Sequence, residues 1–326
     1  MSENIENRQE CQFEVWTECN SQCKFCYLST ANIRTPDEIK LKQMNEIIEK
    51  INDPTFCDKF NKIAFIGGEF FQGQLKNPEV KKTFMHMFDI VSSLLNENKI
   101  DEVWCCATLT IGNQEDMYEV LSKFNDLSKV WILTSYDTIG RFHTEAMKEK
   151  WISNVQKLRN TYKDIKINIT TIITGDFIDK YLDGSLDLFD LAGQFDASVF
   201  LKHACPINRD AEYLYTKQET NKIIPNFFPT RNQFLSFLYK FKENENSLMY
   251  DKLFNMKYRS SYLFRFDEGK LMCSHRLKDT YQEVYEKYKK EHDYSPCGHS
   301  NQYQMYVDSD GCAVCDKEKI MGMFND

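Results

Sequence analysis

Six short apolar runs alternate with longer helical stretches up to about residue 203, and a cysteine-bearing, hairpin-like segment follows. Together these predict an α/β fold: a partial (β/α)6 barrel of the TIM type over residues 11–203, with a C-terminal cysteine-rich auxiliary domain over 204–326. Six strand–helix units are too few to close an eight-fold barrel, so the barrel is expected to be open.

The expected strands are 11–17, 62–67, 102–108, 129–135, 166–173 and 197–202. Several are rich in Val, Ile, Phe or Trp, as strands covered on both faces of a parallel sheet should be. The first helix has a readable start: Thr35 as N-cap, Pro36 as first helical residue, Glu38 as reciprocal capping partner. Ile39, Met44, Ile47, Ile48 and Ile51 then form its apolar face. Residues 78–98, 114–125 and 143–162 read as further helices between strands. Parallel strands joined this way take right-handed crossovers, and functional groups belong at the strands' C-terminal ends.

After residue 203 the rhythm changes. Thr230 and Gln233 form a capping box opening a helix with Phe234, Phe237, Leu238 and Phe241 on its apolar face. Residues 261–273 read as a hairpin turning at Asp267-Glu268-Gly269, and 281–289 as a helix. A last hairpin turns at Ser309-Asp310-Gly311.

Composition narrows the function classes. Of the 326 residues 42% are hydrophobic and 14% aromatic, enough for a sizeable core and too much for a disordered chain. The net charge of −8 disfavours bulky nucleic acid as a partner. No apolar run approaches the roughly 20 residues of a membrane span, and residues 1–10 are too polar for a secretory signal. A cytoplasmic protein with no membrane partner is expected. In that compartment disulfides are uncommon, so clustered cysteines among the twelve point to metal or redox chemistry. Cys57, Cys105 and Cys106 lie outside the clusters and read as small buried hydrophobes.

The first cluster is Cys19-Asn-Ser-Gln-Cys23-Lys-Phe-Cys26, just after the first strand. Three thiolates in so short a loop can converge on one metal centre. A structural zinc site normally uses four protein ligands, whereas a [4Fe–4S] cluster held by three leaves one iron open. A zinc loop with a remote fourth ligand, Cys11 or Cys205, is the alternative.

With Phe25 before its last cysteine, the Cys-x3-Cys-x2-Cys loop resembles the signature of the radical S-adenosylmethionine (SAM) superfamily. Ile66-Gly67-Gly68-Glu69, after the second strand, resembles that superfamily's second motif. The resemblance implies that Cys19, Cys23 and Cys26 hold a [4Fe–4S] cluster and that SAM chelates its open iron. Phe25 would lie against the adenine, and Gly67, Gly68 and Glu69 would hold the methionine amino group. Ser135 and Arg141, after the fourth strand, match positions that meet the SAM ribose and carboxylate. Asn168 and Thr170 share one face of the fifth strand and are ligand-contact candidates, with ordinary hydrogen-bonded strand residues as the alternative. Lys202 and His203 end the sixth strand and could face substrate.

Cys273, Cys297, Cys312 and Cys315 form the second cluster, with Cys312 and Cys315 as a C-x2-C pair after Asp310-Gly311. Four cysteines suit a structural zinc site or a second iron–sulfur cluster, and His275 and His299 widen the zinc option. The arrangement resembles SPASM and twitch auxiliary modules, which implies a second [4Fe–4S] cluster; the match is partial, since a full SPASM module has more cysteines. A radical SAM enzyme would draw electrons from reduced flavodoxin or ferredoxin and act on a small-molecule, nucleotide or peptide substrate. A single-cluster enzyme with a structural zinc tail and a non-catalytic iron–sulfur protein remain the competing expectations.

Overall fold

The computed structural model describes residues 9–26, 34–71, 73, 75–110, 114–203 and 222–243. Beyond these it describes the backbone of the short strands 262–267, 270–273, 307–308 and 311–312. Strands β1 (Gln9–Glu14), β2 (Phe60–Ile66), β3 (Glu102–Cys106), β4 (Val130–Ser135), β5 (Lys166–Ile173) and β6 (Ser198–His203) pair in sequence order, every pair parallel. Helices α1 (Asp37–Ile51), α2 (Phe56–Lys59), α3 (Pro78–Asn96), α4 (Glu115–Leu121), α5 (Glu145–Thr161), α6 (Gly175–Asp183) and α7 (Leu188–Gln194) fill the connections. Sequential parallel order requires each crossover to turn the same way, which stacks the helices on one face of the sheet. This is the connectivity of a partial (β/α)6 barrel.

Burial follows that geometry. In β5, Ile167, Ile169, Thr171 and Ile173 are buried, while Lys166, Asn168, Thr170 and Ile172 on the opposite face are only half-buried. One core joins the helix-facing side of the strands (Phe13, Phe65, Ile132, Ile169) to the helices (Ile47, Phe84, Trp151, Phe177). The opposite face carries Gln12, Lys62, Trp104, Trp131 and Asn168, so the inside of the open barrel is polar and aromatic.

The sheet continues past the six expected strands. β7 (Tyr262–Asp267) adds parallel to β1, pairing Cys11 with Tyr262 and Phe13 with Phe264. β8 (Lys270–Cys273) pairs antiparallel with β7, so the expected hairpin lies on the free edge of β1. An eight-stranded sheet results. Hydropathy marks the hairpin, but its docking place depends on which edge is vacant, and that is a tertiary property. The last expected hairpin is present as β9 (Val307–Asp308) and β10 (Gly311–Cys312). The expected helix at 281–289 lies outside the described residues.

Two readings of α1 are corrected. Thr35 is not its N-cap and Pro36 is not helical: the helix starts at Asp37, with Pro36 in the cap position and no side-chain cap. The Pro36 carbonyl accepts from the amides of Ile39 and Lys40, while the Thr35 amide donates to the Glu18 carboxylate. Ile39 is 40% exposed and Lys40 is 1% exposed, the reverse of what the apolar pattern predicts. Elsewhere local signals hold. Thr230 and Gln233 exchange both capping-box bonds at the start of α8 (Arg231–Glu243), which buries Phe234, Phe237 and Phe241. Among the described residues, no helix is long and apolar enough to cross a membrane.

Candidate functional site

The C-terminal ends of β1 and β2 leave the sheet together. Val15 donates its amide to the Ile66 carbonyl at 3.1 Å, Gly68 to Trp16 at 2.7 Å and Glu69 to Glu18 at 2.9 Å. The turn after β2 is thereby bonded to the residues that lead into Cys19. A Cβ on Gly68 would lie 1.9 Å from the Glu18 carbonyl oxygen, and Gly67, at φ 125°, would bring one within 2.4 Å of the Trp16 carbonyl oxygen. Only glycine allows that approach.

Glu69 is fully buried beneath this junction. Its Oε1 accepts from the amides of Phe70 and Phe71 at 2.9 and 2.8 Å, and its Oε2 from the amide of Thr108 at 2.5 Å. One carboxylate thus joins the exit of β2 to the exit of β3. Burial raises its pKa, against the pull of these N–H donors.

The three cysteines of the loop are each half-buried. The loop turns at Gln22 (φ 49°), the Ser21 amide points at Cys19 Sγ (3.5 Å), and the Cys26 amide donates to the Cys23 carbonyl (3.0 Å). Three neighbouring segments grip it. The Ser21 and Thr110 hydroxyls are hydrogen-bonded at 3.2 Å, His143 Nε2 lies 2.9 Å from the Ser21 carbonyl, and the Lys24 amide donates to the Gly140 carbonyl at 2.8 Å. Burial pushes the Cys19 and Cys23 thiols up, while the Arg141 guanidinium pulls Cys23 the other way.

Arg141 is itself held by the loop after β4. Its Nε donates to Asp137 Oδ2 at 2.5 Å, and Asp137 Oδ1 accepts the Ile172 amide at 2.8 Å. Asp137 is 1% exposed, so its charge is compensated inside the protein. The guanidinium carbon lies 5.4 Å from the Phe25 ring centre, which places this cation over the aromatic residue of the cysteine loop. On another side Phe25 stacks on Phe227, with centroids 5.6 Å apart and planes inclined by 25°. Ile224, Phe227 and Phe228 form a second small core against Phe25, Ile139 and Ile172. That segment is fixed by the Gly175 and Asp176 amides, which donate to the Phe227 and Asn226 carbonyls.

Among the other predicted site residues, Ser135 and Thr170 are directly paired across β4 and β5. Asn168 lies one step deeper on the same face as Thr170, donating to the Ser198 hydroxyl at 2.8 Å. Lys202 is exposed. Cys105 is buried as expected, whereas Cys57 and Cys106 are half-buried. Cys106 ends β3, and burial pushes its thiol up to about 11. Cys11, the alternative fourth ligand, is buried in the helix-facing core within β1. Cys273 ends β8 and Cys312 ends β10, while Cys205, Cys297, Cys315, His275 and His299 lie outside the described residues. Sequence reasoning missed Lys40, Thr108 and Phe227; the run Asn226-Phe227-Phe228 was a signal for the last.

Among the described residues, no three His, Cys, Asp or Glu side chains are grouped to hold one metal ion. The donor set of the loop nonetheless suits an iron–sulfur cluster. There each thiolate takes a different iron, so the sulfurs need not crowd as ligands of one ion must. Cys19 and Cys23, whose thiol form burial favours further, would release their protons on ligation.

No protein-family model matches the chain, and no curated protein does. Among solved structures, it is similar to Streptococcus suis SuiB bound to S-adenosylmethionine, with a TM-score of 0.45 and 12% identity over 95% of this chain and 72% of SuiB. It is similar also to endo-glycoceramidase II from Rhodococcus sp. in an iminocyclitol complex, with a TM-score of 0.28 and 11% identity over 50% of this chain and 44% of that one.

Proposed function

We propose that the chain is a radical SAM enzyme in which Cys19, Cys23 and Cys26 hold a [4Fe–4S] cluster and Gly67, Gly68 and Glu69 position SAM. The observation that carries this reading is the pair of main-chain bonds from Gly68 and Glu69 to Trp16 and Glu18, which join the two motifs at adjacent strand ends. When bound, the cluster supplies the electron that cleaves the sulfonium C–S bond of SAM and releases a 5′-deoxyadenosyl radical.

The chain's own groups bind, orient and exclude water. Phe25, held in place by its stacking on Phe227, is the aromatic residue that would lie against the adenine. Arg141, oriented by Asp137, carries a positive charge near Cys23 and Cys26, where it would meet the anionic end of SAM. Ile139, Ile172 and Ile224 make the surroundings of Phe25 apolar, which would help exclude water. Ser135, Asn168 and Thr170 line the neighbouring strand face as SAM or substrate contacts. The radical would abstract hydrogen from a small-molecule, nucleotide or peptide substrate, with reduced flavodoxin or ferredoxin as electron donor in the cytoplasm. Cys273, Cys297, Cys312 and Cys315 would hold an auxiliary iron–sulfur cluster.

Anaerobic reconstitution followed by reduction with dithionite tests the first claim: SAM should be converted to 5′-deoxyadenosine. Protein that releases none, with or without cell extract as a source of substrate, sinks it. Elemental analysis tests the second. About eight irons per chain support two clusters, and about four irons with one zinc replace the auxiliary cluster by a zinc site.

A further inference from the structure

Lys40 is on the first turn of α1, where a lysine would ordinarily reach solvent, yet it is 1% exposed. Its ammonium lies 2.7 Å from Glu18 Oε2 and 5.1 Å from the centre of the Trp16 ring. Burying an ammonium is costly unless a counter-charge and a favourable surface receive it; the carboxylate and the indole face do so here. The same oxygen, Glu18 Oε2, accepts the Thr35 amide at 3.1 Å. Glu18 immediately precedes Cys19, and Thr35 lies on the chain's return from the loop to α1. One carboxylate oxygen therefore joins both ends of the 19–34 segment, which contains all three cysteines. The main chain of Glu18 is pinned independently, its carbonyl accepting the Glu69 amide at 2.9 Å.

We propose that Lys40 is a positioning residue for the metal-binding loop: through Glu18 it closes the base of the loop and sets the approach of Cys19, Cys23 and Cys26 to their cluster. This rests on reading the loop as a cluster site. The loop carries its ligands on a span tied to the sheet at residue 18, so a fixed base removes the freedom that cluster binding would otherwise have to overcome.

The test compares Lys40→Met, Lys40→Arg and the double variant Lys40→Met/Glu18→Leu, which has neither the charge nor an acceptor for the Thr35 amide, with the wild-type chain. Iron per chain after anaerobic reconstitution and the EPR spectrum of the reduced protein, with and without SAM, report on the cluster. Amide exchange at Thr35 in cluster-free protein reports on the clamp alone. Lys40→Met should lower cluster affinity about tenfold, the low end of what losing a group that supports metal ligands costs. It should also alter the EPR spectrum and speed Thr35 exchange, while Lys40→Arg restores all three. The double variant leaves no carboxylate unpaired, so a loop that needs the clamp stays deficient in it. It also carries the comparison should Lys40→Met fail to fold. Recovery of cluster and spectrum in the double variant would show that only an uncompensated charge had mattered, and would overturn the proposal. Faster Thr35 exchange with unchanged cluster uptake in Lys40→Met overturns it alone. Wild-type protein that takes up no cluster overturns the functional reading, and this inference with it.

Discussion

The main-chain N–H of Glu69 donates to the carbonyl of Glu18 at 2.9 Å, so the turn after β2 is bonded to the residue that precedes Cys19. Residues 51 positions apart in sequence become one structural unit at adjacent strand ends. The unit is tight because Gly68 passes the Glu18 carbonyl with no room for a side chain.

Gly68→Ala should therefore push the turn away from the cysteine loop. Backbone must move to admit the methyl, and overpacking of that kind costs about 1–3 kcal/mol. Thermal unfolding should show a lower Tm, and reconstituted protein should hold less iron than the wild type. A variant with unchanged Tm and iron content would contradict the close approach.

Asp137 and Arg141 form a pair that depends on both members. Arg141→Met takes the counter-charge from a buried carboxylate that also accepts the Ile172 amide, and breaking such a pair costs about 3–5 kcal/mol. Asp137→Asn/Arg141→Met removes both charges and should recover much of that loss. Urea unfolding of the single and double variants measures the coupling.

Phe227→Ala removes the ring on which Phe25 stacks and opens the small core with Ile224 and Phe228. Truncating a buried phenylalanine costs about 3–5 kcal/mol. Its expected signature beyond stability is weaker SAM binding, read by equilibrium dialysis, because Phe25 loses the surface that orients it. Phe241→Ala, in the α8 core, is the control: it should lower Tm without changing SAM affinity.

Glu102 makes the inner sheet face sensitive to acid. Burial opposes its charge, but the Trp104 indole N–H (2.8 Å) and the ammonium groups of Lys62 (3.5 Å) and Lys166 (3.7 Å) hold it below the ordinary carboxyl range. Its contribution is therefore complete above the unfolded value of 4.5 and is lost as pH falls through the lower folded value. Denaturant unfolding between about pH 6 and pH 3 should show a shallower loss of stability on acidification for Glu102→Gln than for the wild type.

The legible features were those set by neighbours in sequence. β5 was read with its observed bounds, because its Ile residues recur at alternate positions and Ile and Thr favour extended backbone. The Thr230–Gln233 capping box was legible because both of its partners lie within one turn. At α1 the same reasoning misled, since the Thr35 amide is taken by a carboxylate 17 residues away and Lys40 is drawn inward by that carboxylate. Ile39 is left outside although it carries the apolar pattern.

The sequence by itself determined the strand–helix alternation, the spacing of Cys19, Cys23 and Cys26, and the Gly67-Gly68 pair just after β2. These follow from local sterics and periodicity, which need no knowledge of the rest of the chain. Only the tertiary structure decided that β7 lies on the free edge of β1, that Asp137 aims Arg141 at the cysteine loop, that Phe227 backs Phe25, and that Lys40 is buried against Glu18. Each joins groups remote along the chain, and what pairs them is the vacancy of an edge or the cost of an uncompensated buried charge. Neither is encoded at a single position.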